Sequence, residues 1–221
     1  PLRSRGVRRF LLALAALSLA ALATASYAQT HHWRNSDTLY QKSLASIPRN
    51  PLLSTYYGLW LQSEGRLSEA AEQHRAAVEV DGYAAIALAN LGAVHTALGE
   101  PEKAIAHYRE ALHHEPRLGA VHLNLGRLLR AAGQAGPALE HFREAARWLP
   151  EQSAPLVALA RTLAASRDPN VRDPERGVSV AERAVAVTGG REAVSLEALA
   201  FAEAAAGRPE RAARAQKVAI E

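Results

Sequence analysis

The chain has 221 residues, with 26 Lys and Arg against 22 Asp and Glu, nine His, and neither Cys nor Met. The missing cysteines exclude disulfides, thiolate metal sites, cysteine nucleophiles and a lipid-bearing cysteine. Aromatic residues make up only 5% of an alanine-rich chain, which favours helices that approach through small side chains. The formal charge of +4 is local: residues 1–30 hold Arg3, Arg5, Arg8 and Arg9 and no acid, which leaves 22 basic against 22 acidic residues beyond. The pI near 9.7 therefore describes one end of the chain, and no nucleic-acid partner is expected.

The sequence starts at Pro1 without a Met, so it reads as a piece of a longer polypeptide or a processed product. Residues 1–9 form a basic flank. From Phe10 to Ala28 run 19 residues without a charge. A helix of that length spans roughly 28 Å, close to the thickness of a bilayer core. Residues 10–30 thus read as a transmembrane helix, with Tyr27 and Trp33 placed as interfacial aromatics. The arginine cluster assigns the N-terminal side to the cytoplasm and the remainder to a periplasmic, lumenal or extracellular space. The alternative is a cleavable signal peptide, with Ala23-Thr24-Ala25 or Ser26-Tyr27-Ala28 as the small-residue cleavage site. Either reading exports the rest.

Past residue 50 the chain repeats itself with a period of 34. Tyr57-Gly58, Leu91-Gly92 and Leu125-Gly126 open three copies, and Gly65, Gly99 and Gly133 follow. Next come Ala70, Ala104 and Ala138; then His74, Tyr108 and Phe142; then Ala77, Ala111 and Ala145; then Gly82, Pro116 and Pro150. A fourth copy opens at Leu159-Ala160 and, after about five extra residues in SRDPNVRDPE, continues through Gly177, Ala181, Ala184 and Gly189. A fifth runs through Leu199-Ala200, Gly207, Ala212 and Ala219. Backwards, Tyr40, Ser43 and Pro48 sit one period before His74, Ala77 and Gly82, so residues 31–49 hold a linker and half a copy. In AIAHYREAL, Ala104, Ile105, Tyr108, Ala111 and Leu112 form an apolar helical stripe with Lys, Arg and Glu outside it. Each copy reads as two helices joined by a glycine turn and stopped by proline.

These columns resemble the tetratricopeptide repeat family, whose unit is a helix, a tight turn and an antiparallel helix. The resemblance implies an all-α chain: an N-terminal transmembrane helix, then a right-handed α-solenoid of about 4.5 helix pairs over residues 50–221. It also implies that the first helices of the units line a concave wall.

The histidines raise the question of a metal. His107 and His141, one period apart, are expected on equivalent outer positions, and His95 and His122 fall in columns suited to core residues. His31-His32 lie at the membrane boundary and His113-His114 near a turn, and none of the nine has HExxH spacing. No metal or cofactor is expected. Nor is a nucleophile elbow or phosphate-binding loop present, so the chain is read as non-catalytic.

Binding is the better-supported chemistry. Asn90 and Asn124 precede the Leu-Gly pair in consecutive copies, and in related superhelices an asparagine in this column holds a bound peptide's backbone. A carboxamide offers both a donor and an acceptor to a peptide group. Tyr56, Ala158 and Ala198 fill that column elsewhere, which leaves a ladder of two rungs. Arg127 and Arg161 follow the small residue of the pair, and Arg130 lies one turn beyond Arg127. Together they offer guanidinium groups to a carboxylate or phosphate. The competing arrangement has the asparagines bonding locally and the arginines pairing with glutamates.

The stretch WRNSDTLYQKSLASIPRNP directly after the apolar segment resembles a junction in polytopic, lipid-phosphate-sugar-dependent mannosyltransferases that carry a tetratricopeptide tail. Trp33, Arg34, Ser36, Asp37, Leu39, Tyr40 and Pro48 carry that resemblance. It implies that catalytic residues lie upstream and that this chain is a membrane-anchored scaffold binding protein or peptide. A secreted or periplasmic assembly factor is the alternative.

Overall fold

The computed structural model describes residues 36–80 and 84–220. The apolar segment Phe10–Ala28, its basic flank, Trp33 and Arg34 lie outside the described residues. Among the described residues, no helix is long and apolar enough to cross a membrane.

Eleven helices follow one another among the described residues: α1 (Ser36–Ser46), α2 (Pro51–Ser63), α3 (Leu67–Val78), α4 (Ala84–Ala97), α5 (Pro101–His114), α6 (Gly119–Ala131), α7 (Ala135–Trp148), α8 (Ser153–Ala165), α9 (Pro174–Thr188), α10 (Ala193–Ala205) and α11 (Pro209–Ile220). The closest partners are α2/α3, α4/α5, α6/α7, α8/α9 and α10/α11, and each pair packs on the next. These are the five copies read from the sequence, with α1 in the place of a second helix before them. Among the described residues the array therefore holds five pairs and a half, one pair more than the four and a half expected.

The helix boundaries follow from local chemistry. Prolines open α2, α5 and α9, where their missing N–H costs no hydrogen bond. Asn50 and Asp173 cap α2 and α9, accepting from the N–H groups of Leu53 and Arg176, both at 3.0 Å. At the turn after α4, Gly99 adopts φ +73°. Its N–H donates to Thr96 O at 3.1 Å, and that of Glu100 donates to His95 O at 2.9 Å. This double closure satisfies the last carbonyls of the helix and needs a left-handed residue at its corner. Gly65, Gly133 and Gly207 repeat it with φ values of 75°, 77° and 78°.

Inside each pair, a small residue on the first helix faces a ring on the second. A Cβ on Gly58 would lie 2.5 Å from His74, one on Gly92 2.5 Å from Tyr108, and one on Gly126 2.7 Å from Phe142. All three rings are buried. The fourth pair reverses the sizes: Ala160 stands where the glycine was and Ala181 where the ring was, and both are buried. There the small glycine has moved to the second helix, since a Cβ on Gly177 would lie 3.2 Å from the Ala160 carbonyl.

The extra residues of the fourth copy form the connection from Ser166 to Asp173. Ser166 Oγ accepts from Asp168 N–H at 3.1 Å, Asp168 Oδ1 accepts from Asn170 N–H at 2.9 Å, and Asp173 N–H returns to Leu163 O at 2.9 Å. Val171 is buried, with its Cγ2 near Gly136 of the preceding pair. The loop is thus folded down onto its neighbours.

At the other end, α1 is tied to the first pair. The Tyr57 hydroxyl donates to Asp37 Oδ1, and Arg66 reaches Asp37 Oδ2 at 3.0 Å. These bonds hold the Asp37 carboxyl below its usual range. Tyr40 stacks on Tyr57 at 5.1 Å between centroids, and Tyr57 stacks on Trp60 at 6.0 Å. Two of the junction residues, Asp37 and Tyr40, therefore have a packing role inside this chain.

Candidate ligand groove

The first helices α2, α4, α6, α8 and α10 present equivalent positions one after another. The residue following the small column reads Leu59, Ala93, Arg127, Arg161 and Phe201. Four of these five are large, and Leu59 and Phe201 remain exposed despite their apolar character. Leu52, Tyr56 and Ile86 add further exposed apolar side chains to the same series.

Two adjoining concavities mark where this surface deepens. One, of about 510 Å³, is lined by Arg127 and Arg130 of α6, Arg161 of α8, and Arg167 and Asp168 of the inserted loop. The other, of about 700 Å³, is lined by Arg130, Arg161, Glu197 and Phe201, with alanines of α10 and α11. They share Arg130, Arg161 and Ala165. The three arginines expected as anion-binding residues are thus brought together around one space.

Two carboxylates, Asp168 and Glu197, line the same concavities. Arg161 reaches Glu197 at 3.4 Å, with both side chains 39% and 46% exposed. Among the described residues, Arg127, Arg130 and Arg167 make no ion pair. Burial, followed by the nearby Arg161 and Arg127 charges, pushes the Arg130 guanidinium below its ordinary range.

Asn90 and Asn124 do not line either concavity. Asn124, with Thr96, hydrogen-bonds the buried Tyr108 hydroxyl and opposes the upward push that burial gives this phenol. Asn90 is half-buried and makes no side-chain hydrogen bond among the described residues. Of the two rungs, Asn124 thus sits beside Tyr108, and Asn90 faces no side-chain partner among the described residues.

The histidines pair across helices. His107 stacks on His95 at 5.2 Å between centroids, and His141 faces His122 with Nδ1 to Nδ1 at 2.9 Å. His107 and His141 are thus half-buried against a partner ring, where the sequence placed them on outer positions. The partner ring comes from another helix, which the period alone does not show. Among the described residues no group of three or more His, Cys, Asp or Glu could hold a metal ion.

Arg167, Glu197 and Phe201 were not singled out from the sequence. Phe201 was recoverable, since it shares the column of Arg127 and Arg161. Arg167 was not, because its loop has no counterpart in the other copies.

This is a helical-repeat solenoid with a groove along its first helices. Residues 85–118 match the family model of the tetratricopeptide repeat. Comparison with curated proteins finds no match to the sequence. Among solved structures, YrrB, described as a tetratricopeptide protein with an unusual peptide-binding site, is similar with a TM-score of 0.66. Identity is 19%, over 82% of this chain and 90% of that one. A crystal structure of MamA gives a TM-score of 0.63 at 14% identity, over 74% of this chain and 92% of that one. MamA from Desulfovibrio magneticus RS-1 gives 0.66 at 16% identity, over 77% and 93%. At such identities the likeness is one of fold. One repeat of the chain thus matches the tetratricopeptide model, and the neighbours share its fold.

Proposed function

We propose that this chain is a non-catalytic scaffold that captures protein or peptide in its groove, with Asn90, Asn124, Arg127, Arg130 and Arg161 as binding residues. The convergence of three arginines from α6 and α8 on one concavity carries the reading. Guanidinium groups in a shared concavity select carboxylates through paired, charge-assisted hydrogen bonds. YrrB, with its peptide-binding site, offers a parallel on the same fold.

The test is fluorescence anisotropy with a labelled oligoglutamate peptide. Arg127→Ala combined with Arg130→Ala should weaken capture by about tenfold or more, equivalent to roughly 1.4 kcal/mol, with an unchanged thermal midpoint. Asn90→Ala should weaken it less. Equal affinity for the parent and the double arginine variant would remove the basis of the proposal.

The finer reading rests on the sequence. The apolar segment 10–28 behind four arginines supports a retained membrane anchor, with the array on the non-cytoplasmic side. The junction residues support attachment to a membrane glycosyltransferase. The cysteine-free chain permits a direct check, with Arg191→Cys labelled in intact cells by a membrane-impermeant maleimide. Labelling only after lysis would reject a periplasmic or extracellular array, and a site that stays shielded in sealed vesicles after selective opening of the outer membrane but reacts once their own membrane is opened would mark a lumenal one.

A further inference from the structure

We infer that the groove reads two chemistries at once, binding a peptide whose acidic residues stand beside a bulky apolar residue. This rests on the peptide-binding reading above and specifies the partner. The two concavities meet at Arg130, Arg161 and Ala165. On one side stand guanidinium groups from α6, α8 and the inserted loop; on the other stand Phe201, Ala200, Ala204, Ala212 and Ala213. A ligand spanning the shared edge meets cations first and an apolar floor next.

The inserted loop is part of this selection. It occurs in one unit of the five, is anchored by Val171 and by the return of Asp173 N–H to Leu163 O, and carries Arg167 into the lining. A fourth guanidinium therefore closes the cationic side. Phe201 is 46% exposed although it is a large apolar ring. An arginine cluster beside a partly exposed aromatic is the composition typical of residues that dominate binding energy.

Charge distribution favours a short acidic segment over a nucleic acid. Beyond residue 30 the chain carries 22 basic and 22 acidic residues, so the array offers a long polyanion no net attraction. Glu197 occupies the boundary between the two sides and pairs with Arg161 at 3.4 Å. With both groups substantially exposed the pair is weak, and an incoming carboxylate replaces it. Glu197 is an internal competitor for the ligand's acid.

Anisotropy with four labelled probes tests this: three aspartates followed by Phe-Leu, three aspartates followed by Gly-Gly, three asparagines followed by Phe-Leu, and a ten-residue oligouridine. The first probe should bind about tenfold tighter than the second or third, which corresponds to about 1.4 kcal/mol. Arg167→Ala and Phe201→Ala should each weaken it several-fold, and Phe201→Ala should leave the Gly-Gly probe unaffected. Glu197→Gln should tighten the first probe. Circular dichroism melts confirm that these surface variants stay folded. If the first two probes bind equally and Phe201→Ala is silent, the two-part site is overturned while acidic-peptide capture stands. If no peptide probe binds, both readings fall. Tighter binding of oligouridine than of any peptide would also overturn the proposal, in favour of a nucleic-acid ligand.

Discussion

His74 occupies the ring column of the first full pair, completely buried, with Nε2 donating to Gln62 Oε1 at 2.9 Å and Nδ1 without a partner. Burial pushes its pKa down to about 4. An unfolded chain titrates this imidazole near its ordinary value of about 6.5, so between those values the folded state binds fewer protons. Its stabilising contribution is complete above the unfolded pKa and is lost as pH falls toward the folded one. The loss amounts to on the order of 3 kcal/mol. His107 and His141 are also held down, chiefly by burial, and contribute with the same sign. Thermal midpoints at pH 7.5 and pH 4.5 should therefore diverge, and His74→Tyr, which copies the ring of the next unit, should narrow the gap. A gap of the same size in that variant would assign the effect elsewhere.

At the scale of the element, the glycine and its facing ring form one packing unit divided between two helices. The fourth pair replaces Gly with Ala160 and the ring with Ala181, so a methyl is added on the first helix where a whole ring is lost from the second. Gly92→Ala places a Cβ 2.5 Å from the Tyr108 ring and should destabilise by about 1–3 kcal/mol through overpacking. Tyr108→Ala leaves a cavity and costs several kcal/mol, by analogy with other large-to-small changes in cores. The double variant recreates the Ala160/Ala181 pairing, and its loss in denaturant unfolding should be smaller than the sum of the two single losses. Additive losses would show that the two positions do not pack as a unit. This reciprocity was only half legible in the sequence. The glycine and ring columns stood out because they recur at 34 residues, whereas the fourth copy looked like simple decay. A compensated pair breaks both columns at once, and periodicity alone cannot distinguish compensation from loss.

Across the whole molecule, each pair touches mainly its neighbours, so stability is close to a chain of local contributions and the ends open first. The terminal helix α1 depends on Asp37, which meets Tyr57 and Arg66, and on the Tyr40 stack. Asp37→Ala should accelerate amide exchange across residues 36–46 and leave α6 and α7 nearly unchanged. Uniform acceleration along the chain would mean that the array unfolds as a single cooperative body. The order of helices, their turns and the core columns were readable because helical pairs are built from local contacts at a fixed spacing. The groove was readable only in part. Arg127 and Arg161 share a register on successive first helices and Arg130 lies one turn beyond Arg127, whereas Arg167 reaches them from an irregular loop whose path no period encodes. The neighbour of Asn124, Tyr108, belongs to the preceding unit, a contact that the spacing of one column does not show.

The four glycine turns also bear on how such a chain can change over generations. At Gly65, Gly99, Gly133 and Gly207, the closing hydrogen bonds return to the helix just finished, never to another unit. A gene segment excised or duplicated between two such corners would leave no orphaned amide or carbonyl at the seam. It would also restore each small residue to a ring of matching size, provided the cut spans the full 34 residues. Array length is therefore open to inheritance in whole steps, and the loop from Ser166 to Asp173 shows a fractional addition surviving by folding back onto its neighbours.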